Sequence, residues 1–95
     1  MERQAINSAI INYLSSYGPE RIGLFGSFAR QEEETNSDID ILVKFKDTIT
    51  LLDLARIHRE LSAILGKKVD LVTEPALKNE KLKKYIYNDL QIIFE

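Results

Sequence analysis

The sequence predicts a small α/β (α+β) fold, a mixed sheet of about three or four strands flanked by helices. Two observations carry that expectation: short runs rich in Ile, Val and Leu at Ile39–Phe45 and Val69–Val72, and segments of helical periodicity that alternate with them along the chain. A third is length, since 95 residues bury one modest core and do not divide into two independently stable ones. Residues 1–95 are therefore expected to form a single domain.

Taking the elements in order, Ala5, Ile6, Ala9, Ile10, Tyr13, Leu14 and Tyr17 form an apolar stripe along one face of a helix over residues 2–17, which Gly18-Pro19 stops. Ile22–Phe25 reads as a short buried strand ending at Gly26, followed by a short helix from Ser27 to about Gln31 and a polar loop over 32–37. Ile39–Phe45 is apolar almost throughout, which implies burial on both faces and a central place in the sheet. Thr50 with Asp53 three positions on marks a helix start, Leu51, Leu54, His58, Leu61 and Leu65 share one face, and Gly66 suits a left-handed C-cap. Val69–Val72 is the third strand, Pro75 suits a first helical position, a helix follows over about 76–87, and Gln91–Phe94 forms a last, edge strand. That edge is able to pair with another copy of the chain or with a partner.

Composition narrows the function classes. With 44% hydrophobic and 29% charged residues and no low-complexity stretch, the chain is expected to be folded throughout. It has no cysteine, so a disulfide framework and thiolate metal sites are both excluded, and any metal must be held by oxygen. No apolar run approaches the roughly 18 residues of a membrane span, and the expected location is cytoplasmic. A net charge of -2 argues against extensive direct nucleic-acid binding and favours a small ligand or a protein partner. The acidic run Glu32-Glu33-Glu34 and the basic Lys78, Lys81, Lys83 and Lys84 read as solvated faces.

The chemistry-bearing residues begin at the end of the first strand. Gly26 lets the backbone approach a phosphate closely, and Ser27 adds a hydroxyl donor where a helix starts. Alone, a Gly-Ser pair after a strand is an ordinary turn and cap. After ten intervening residues come Asp38 and Asp40, two positions apart on a strand, so that their side chains leave one face with Cα atoms about 6.6 Å apart. Asp70 interrupts the third strand in the same way, within Lys68-Val69-Asp70-Leu71-Val72. Strand propensity disfavours Asp, and carboxylates brought together repel by about 4 kcal/mol at 4 Å in an effective dielectric near 20. If the second and third strands are neighbours, the three carboxylates share a face and divalent metal is the simplest reason for them. Arg30, one helical turn after Ser27, either reaches phosphate or clamps the sheet through an ion pair. His58, Tyr85 and Tyr87 read as packing residues.

Ile22-Gly23-Leu24-Phe25-Gly26-Ser27-Phe28-Ala29-Arg30 followed by Ser37-Asp38-Ile39-Asp40-Ile41-Leu42-Val43 resembles the signature of the minimal nucleotidyltransferases of the DNA polymerase beta-like superfamily. The resemblance covers most of the chain and implies the polymerase beta-like fold. Gly26 and Ser27 match the family's phosphate-binding pair, Asp38 and Asp40 its metal-bridging carboxylates, and Asp70 its third carboxylate, which helps activate the attacking hydroxyl. It further implies Mg2+, as two ions, a nucleoside triphosphate as substrate, and transfer of AMP from ATP to a hydroxyl acceptor. Such proteins occur beside a HEPN-domain ribonuclease toxin, acting as the antitoxin that silences it by adenylylating a tyrosine. A non-catalytic antitoxin that occludes its toxin, and a transferase acting on a small molecule or RNA, are the alternatives.

Overall fold

The structure is a computed structural model and describes residues 2–30, 38–74 and 77–95. The expected end of the short helix at Gln31, the loop over 32–37 with its acidic run, and Pro75 lie outside the described residues. The elements are α1 (Arg3–Leu14), extended by a 3-10 turn over Ser15–Tyr17, β1 (Pro19–Phe25), α2 (Gly26–Ala29), β2 (Ile39–Phe45), α3 (Leu51–Leu65), β3 (Val69–Thr73), α4 (Glu80–Asp89) and β4 (Gln91–Phe94). Gly18, with φ 69°, ends the first helical segment in the left-handed region. Pro19 then opens β1 rather than only closing the helix, so this strand is longer than the sequence indicates. A first-strand position tolerates the missing N–H.

The sheet has the order β3-β2-β1-β4. β1 pairs antiparallel with both β2 and β4, whereas β2 and β3 are parallel. A parallel pair requires a crossover, and α3 supplies it. Its start is a complete capping box, in which the Thr50 hydroxyl accepts from the Asp53 N–H and the Asp53 carboxylate accepts from the Thr50 N–H, and Gly66 closes its end at φ 67°.

Because side chains alternate across a strand, each face of the sheet builds its own apolar cluster. On one face Ile22, Leu24, Ile39, Ile41, Val43 and Val69 pack against Ile6, Ile10 and Leu14 of α1 and Ile57, Leu61 and Leu65 of α3. On the other, Phe25 and Leu42 pack with Leu77, and with Ile86 of α4. Gly23 sits beneath this second layer, where an added Cβ would meet the Leu90 side chain at 2.6 Å. The α3 stripe differs from expectation at its start: Leu51 is 84% exposed, and Ile57 enters the core in its place. The helical phase that buries Leu61 and Leu65 turns position 51 away from the sheet, a choice the sequence pattern leaves open.

Ile57→Ala is expected to destabilise the fold by about 2–5 kcal/mol, the range for a truncated core aliphatic. Leu51→Ala should stay within about 0.5 kcal/mol of the parent. Urea denaturation followed by circular dichroism distinguishes them, and equal midpoints for the two variants would contradict this packing.

Candidate active site

The parallel register of β2 and β3 sets Asp40 directly opposite Asp70, as Ile39 stands opposite Val69. The Ile39 N–H donates to the Lys68 carbonyl at 2.9 Å, which fixes this register at its first rung. At the start of β3, the Val69 N–H donates to the Ser62 hydroxyl at 3.1 Å and ties the strand to α3. On the other side of β2, Phe25 pairs with Asp40, so the turn that follows β1 lies against the same carboxylate. Asp40 and Asp70 thus meet on the face that carries Leu42 and Val72.

Gly26 is required twice over. Its φ of +77° is a conformation that side chains rarely adopt, and a Cβ there would stand 2.2 Å from the Asp40 carboxylate oxygen Oδ2. The glycine is therefore the surface against which Asp40 is held. Ser27 is half-buried in the first turn of α2, where no side chain caps the helix start. Gly26, Ser27, Asp40 and Asp70, expected from sequence to act together, are brought together at one end of the sheet.

The electrostatics follow from this crowding. Burial, then the neighbouring Asp70 through its charge and a hydrogen bond, and then Asp38 push the Asp40 carboxyl up to about 6, against a smaller opposing pull from Arg30. Asp38 is less committed. Its carboxylate lies 3.9 Å from the Lys68 ammonium and its side chain is 38% exposed. Among the described residues no three acidic or histidine side chains converge closely enough to hold an ion as they stand. Asp38 acts on Asp40 through its charge, whereas Asp70 acts on it through both charge and a hydrogen bond.

Arg30 does act as a clamp: its guanidinium bonds the Asp89 carboxylate at 2.6 Å, joining α2 to the last residue of α4. Two further residues that sequence reasoning missed hold the same turn. Arg3 donates to the Phe28 carbonyl at 2.6 Å and lies 4.1 Å above the centre of the Phe28 ring, and Gln91 donates to the Ala29 carbonyl at 2.9 Å. No spacing or motif signals these contacts, which join positions 25 and 62 residues apart. A cavity of about 200 Å3 lies elsewhere, at the opposite end of β2 and β3, lined by Phe45, Leu54 and Thr73 among others. It contains none of these carboxylates.

Residues 8–95 match the family model described as polymerase beta, nucleotidyltransferase. The chain belongs to the polymerase beta nucleotidyltransferase family. A Methanocaldococcus jannaschii protein, provisionally named a protein adenylyltransferase, is 42% identical over 90 residues, covering 90% of this chain and 97% of its own. Among solved structures, a toxin–antitoxin complex with AMP-PNP contains a chain that superposes with a TM-score of 0.83 at 27% identity, over 93% of this chain and 72% of that one. A chain of the toxin–antitoxin complex MntA–HepT superposes with a TM-score of 0.77 at 26% identity, over 97% of this chain and 72% of its own. The polymerase beta-like fold expected from the Gly-Ser and Asp-x-Asp motifs is thus the fold observed, and the class of activity is nucleotidyl transfer.

Two outcomes test the geometry. In the absence of divalent cations, Asp40 binds a proton more tightly in the folded state, at about 6, than at the unfolded value of 3.8, so its stabilising effect is complete below about pH 4 and lost as pH rises through 6. Asp40→Asn should remove that loss, and thermal melts in EDTA should show the variant gaining on the parent between those values. Gly26→Ala should displace the Asp40 side chain, and with it activity, because the new Cβ and the carboxylate cannot share the space. Wild-type turnover of nucleotide by Gly26→Ala would contradict the contact.

Proposed function

We propose that this protein is a Mg2+-dependent adenylyltransferase that moves AMP from ATP to a hydroxyl acceptor, and that the acceptor is a tyrosine of a cognate HEPN-domain toxin. The observation that carries this reading is the pairing of Asp40 with Asp70 across β2 and β3, with Asp40 held against Gly26. Support comes from relatives named as adenylyltransferases and from the likeness to chains of toxin–antitoxin complexes, one of them holding an ATP analogue.

The donor chemistry fits a hard divalent cation. Asp38, Asp40 and Asp70 offer only carboxylate oxygens, and their crowding keeps a proton on Asp40 up to about pH 6, so a cation relieves the repulsion that the proton otherwise relieves. When bound, two Mg2+ ions supply charge neutralisation at the transferring phosphate and lower the pKa of the acceptor hydroxyl. The Gly26–Ser27 turn binds the triphosphate through its backbone N–H groups and the Ser27 hydroxyl. Asp70 orients the acceptor hydroxyl and draws its proton as the oxygen attacks the α-phosphorus. The bond to the bridging oxygen then breaks, and pyrophosphate leaves with that electron pair. Arg30 holds α4 against the turn and adds positive charge near the phosphates. In this proposal residues 1–95 work as one domain in the cytoplasm, where ATP and Mg2+ are supplied.

Incubating the purified protein and its toxin with ATP and Mg2+ should raise the toxin's intact mass by one adenylyl group or a multiple of it. Asp38→Asn or Asp40→Asn should reduce the rate by roughly a thousandfold or more, the scale of losing several kcal/mol of transition-state stabilisation. Undiminished transfer by the double variant would refute the enzyme reading. Tight binding of the toxin with no mass change would favour neutralisation by occlusion instead.

A further inference from the structure

Among the described residues, those that address phosphate and metal offer no platform for a nucleotide's base. Gly26, Ser27 and the carboxylates address phosphate and metal, while on that face of the sheet Phe25 and Leu42 are buried and Val72 is half-buried against them. Phe28 is buried too, with Arg3 over its ring.

The geometry of α4 supplies a candidate. Successive helix residues advance by about 100°, so from the buried Ile86 the side chain of Asp89 departs about 60° to one side and that of Tyr87 about 100° to the other. Their contacts fix which flank faces which way. Asp89 bonds Arg30 at the end of the phosphate turn, whereas the Tyr87 hydroxyl donates to Glu74, beyond the end of β3, where Glu74 also pairs with Arg21. On the Asp89 flank lie Leu82, about 40° from Ile86, and Tyr85, about 100° from it. Both are exposed, Leu82 at 47% and Tyr85 at 55%. The other exposed large apolar residues among those described stand elsewhere: Leu51, Leu52 and Ile64 on α3 across the sheet, Ile92 and Phe94 on the edge strand β4, and Tyr87 on the far flank.

We propose that Tyr85, with Leu82 beside it, is the wall on which the base of the bound nucleotide stacks. The proposal rests on the reading of this end of the sheet as the nucleotide site. It assigns a function to a ring that the sequence pattern marks as a packing residue and that the fold leaves in solvent. Stacking on an aromatic face tolerates any base, so Tyr85 contributes affinity for nucleotides in general rather than a choice among them.

Calorimetric titration of the wild type, Tyr85→Ala and Tyr85→Phe with an α,β-methylene ATP analogue, and separately with inorganic tripolyphosphate, each with Mg2+, tests this. Tyr85→Ala should bind the nucleotide about tenfold more weakly and tripolyphosphate unchanged, and Tyr85→Phe should bind both as the wild type does. The chain has four tyrosines and no tryptophan, so tyrosine dominates its fluorescence. The nucleotide should quench part of that emission in the wild type, and the quenched part should be missing in Tyr85→Phe. Unchanged nucleotide affinity in Tyr85→Ala, or an equal loss for both ligands, overturns the proposal while leaving the nucleotide site standing. A wild type that binds neither ligand overturns the site itself.

Discussion

The parallel pairing of β2 with β3 is the constraint on which the rest of the site depends. It places two carboxylates, Asp40 and Asp70, on adjacent strands at the same level, where burial and the neighbouring Asp70 raise the cost of ionising Asp40. A fold under selection for stability alone has no reason to keep this pair, because a buried strand position disfavours Asp and like charges on neighbouring strands repel. The register is nonetheless fixed firmly, by the Ile39 to Lys68 hydrogen bond and by α3, whose Ser62 holds the first residue of β3. Slipping it by one residue would turn Asp70 into the apolar layer under α3 and bring Val69 to the open face. The core thus enforces the placement of the groups that oppose it.

The third side of the site is held from a distance. α2 is only four residues long and cannot fix itself. It is fastened by Arg3 from the first helix, Gln91 from the last strand and the Arg30–Asp89 ion pair from α4, so both ends of the described chain converge on the turn that presents Gly26 and Ser27. Asp40 and Asp70 are half-buried rather than closed over by α4, so the carboxylates stay within reach of a ligand. The same helix then has two unlike flanks, one turned to the site through Asp89 and one to the Arg21–Glu74–Tyr87 network.

Much of this was legible beforehand, for identifiable reasons. β2 and β4 fall on the residues that the apolar runs indicate, and α3 begins and ends where Thr50, Asp53 and Gly66 say it should, because local chemistry decides those boundaries. α4 runs over Glu80–Asp89 rather than about 76–87, since Asn79, which accepts from the N–H groups of Lys81 and Leu82, supplies the N-cap. Leu51 and Ile57 exchange roles because an amphipathic pattern with two overlapping stripes is resolved only by the surface it meets. Tyr85 and Tyr87, both expected to pack, are exposed, as a thin second layer has room for Ile86 and little else.

By itself the sequence determined the kind of fold, the Gly-Ser turn and the strand positions of Asp40 and Asp70, though Asp38, expected on the strand too, precedes β2; each is written in neighbouring residues whose propensities and spacing act locally. Only the tertiary structure decided that Asp70 meets Asp40, that Gly26 touches it, that Arg30 serves Asp89, and that Tyr85 stands exposed on α4. Those are contacts between segments far apart in the chain, set by strand register and helix phase, and both are outcomes of packing the whole core rather than of any single segment.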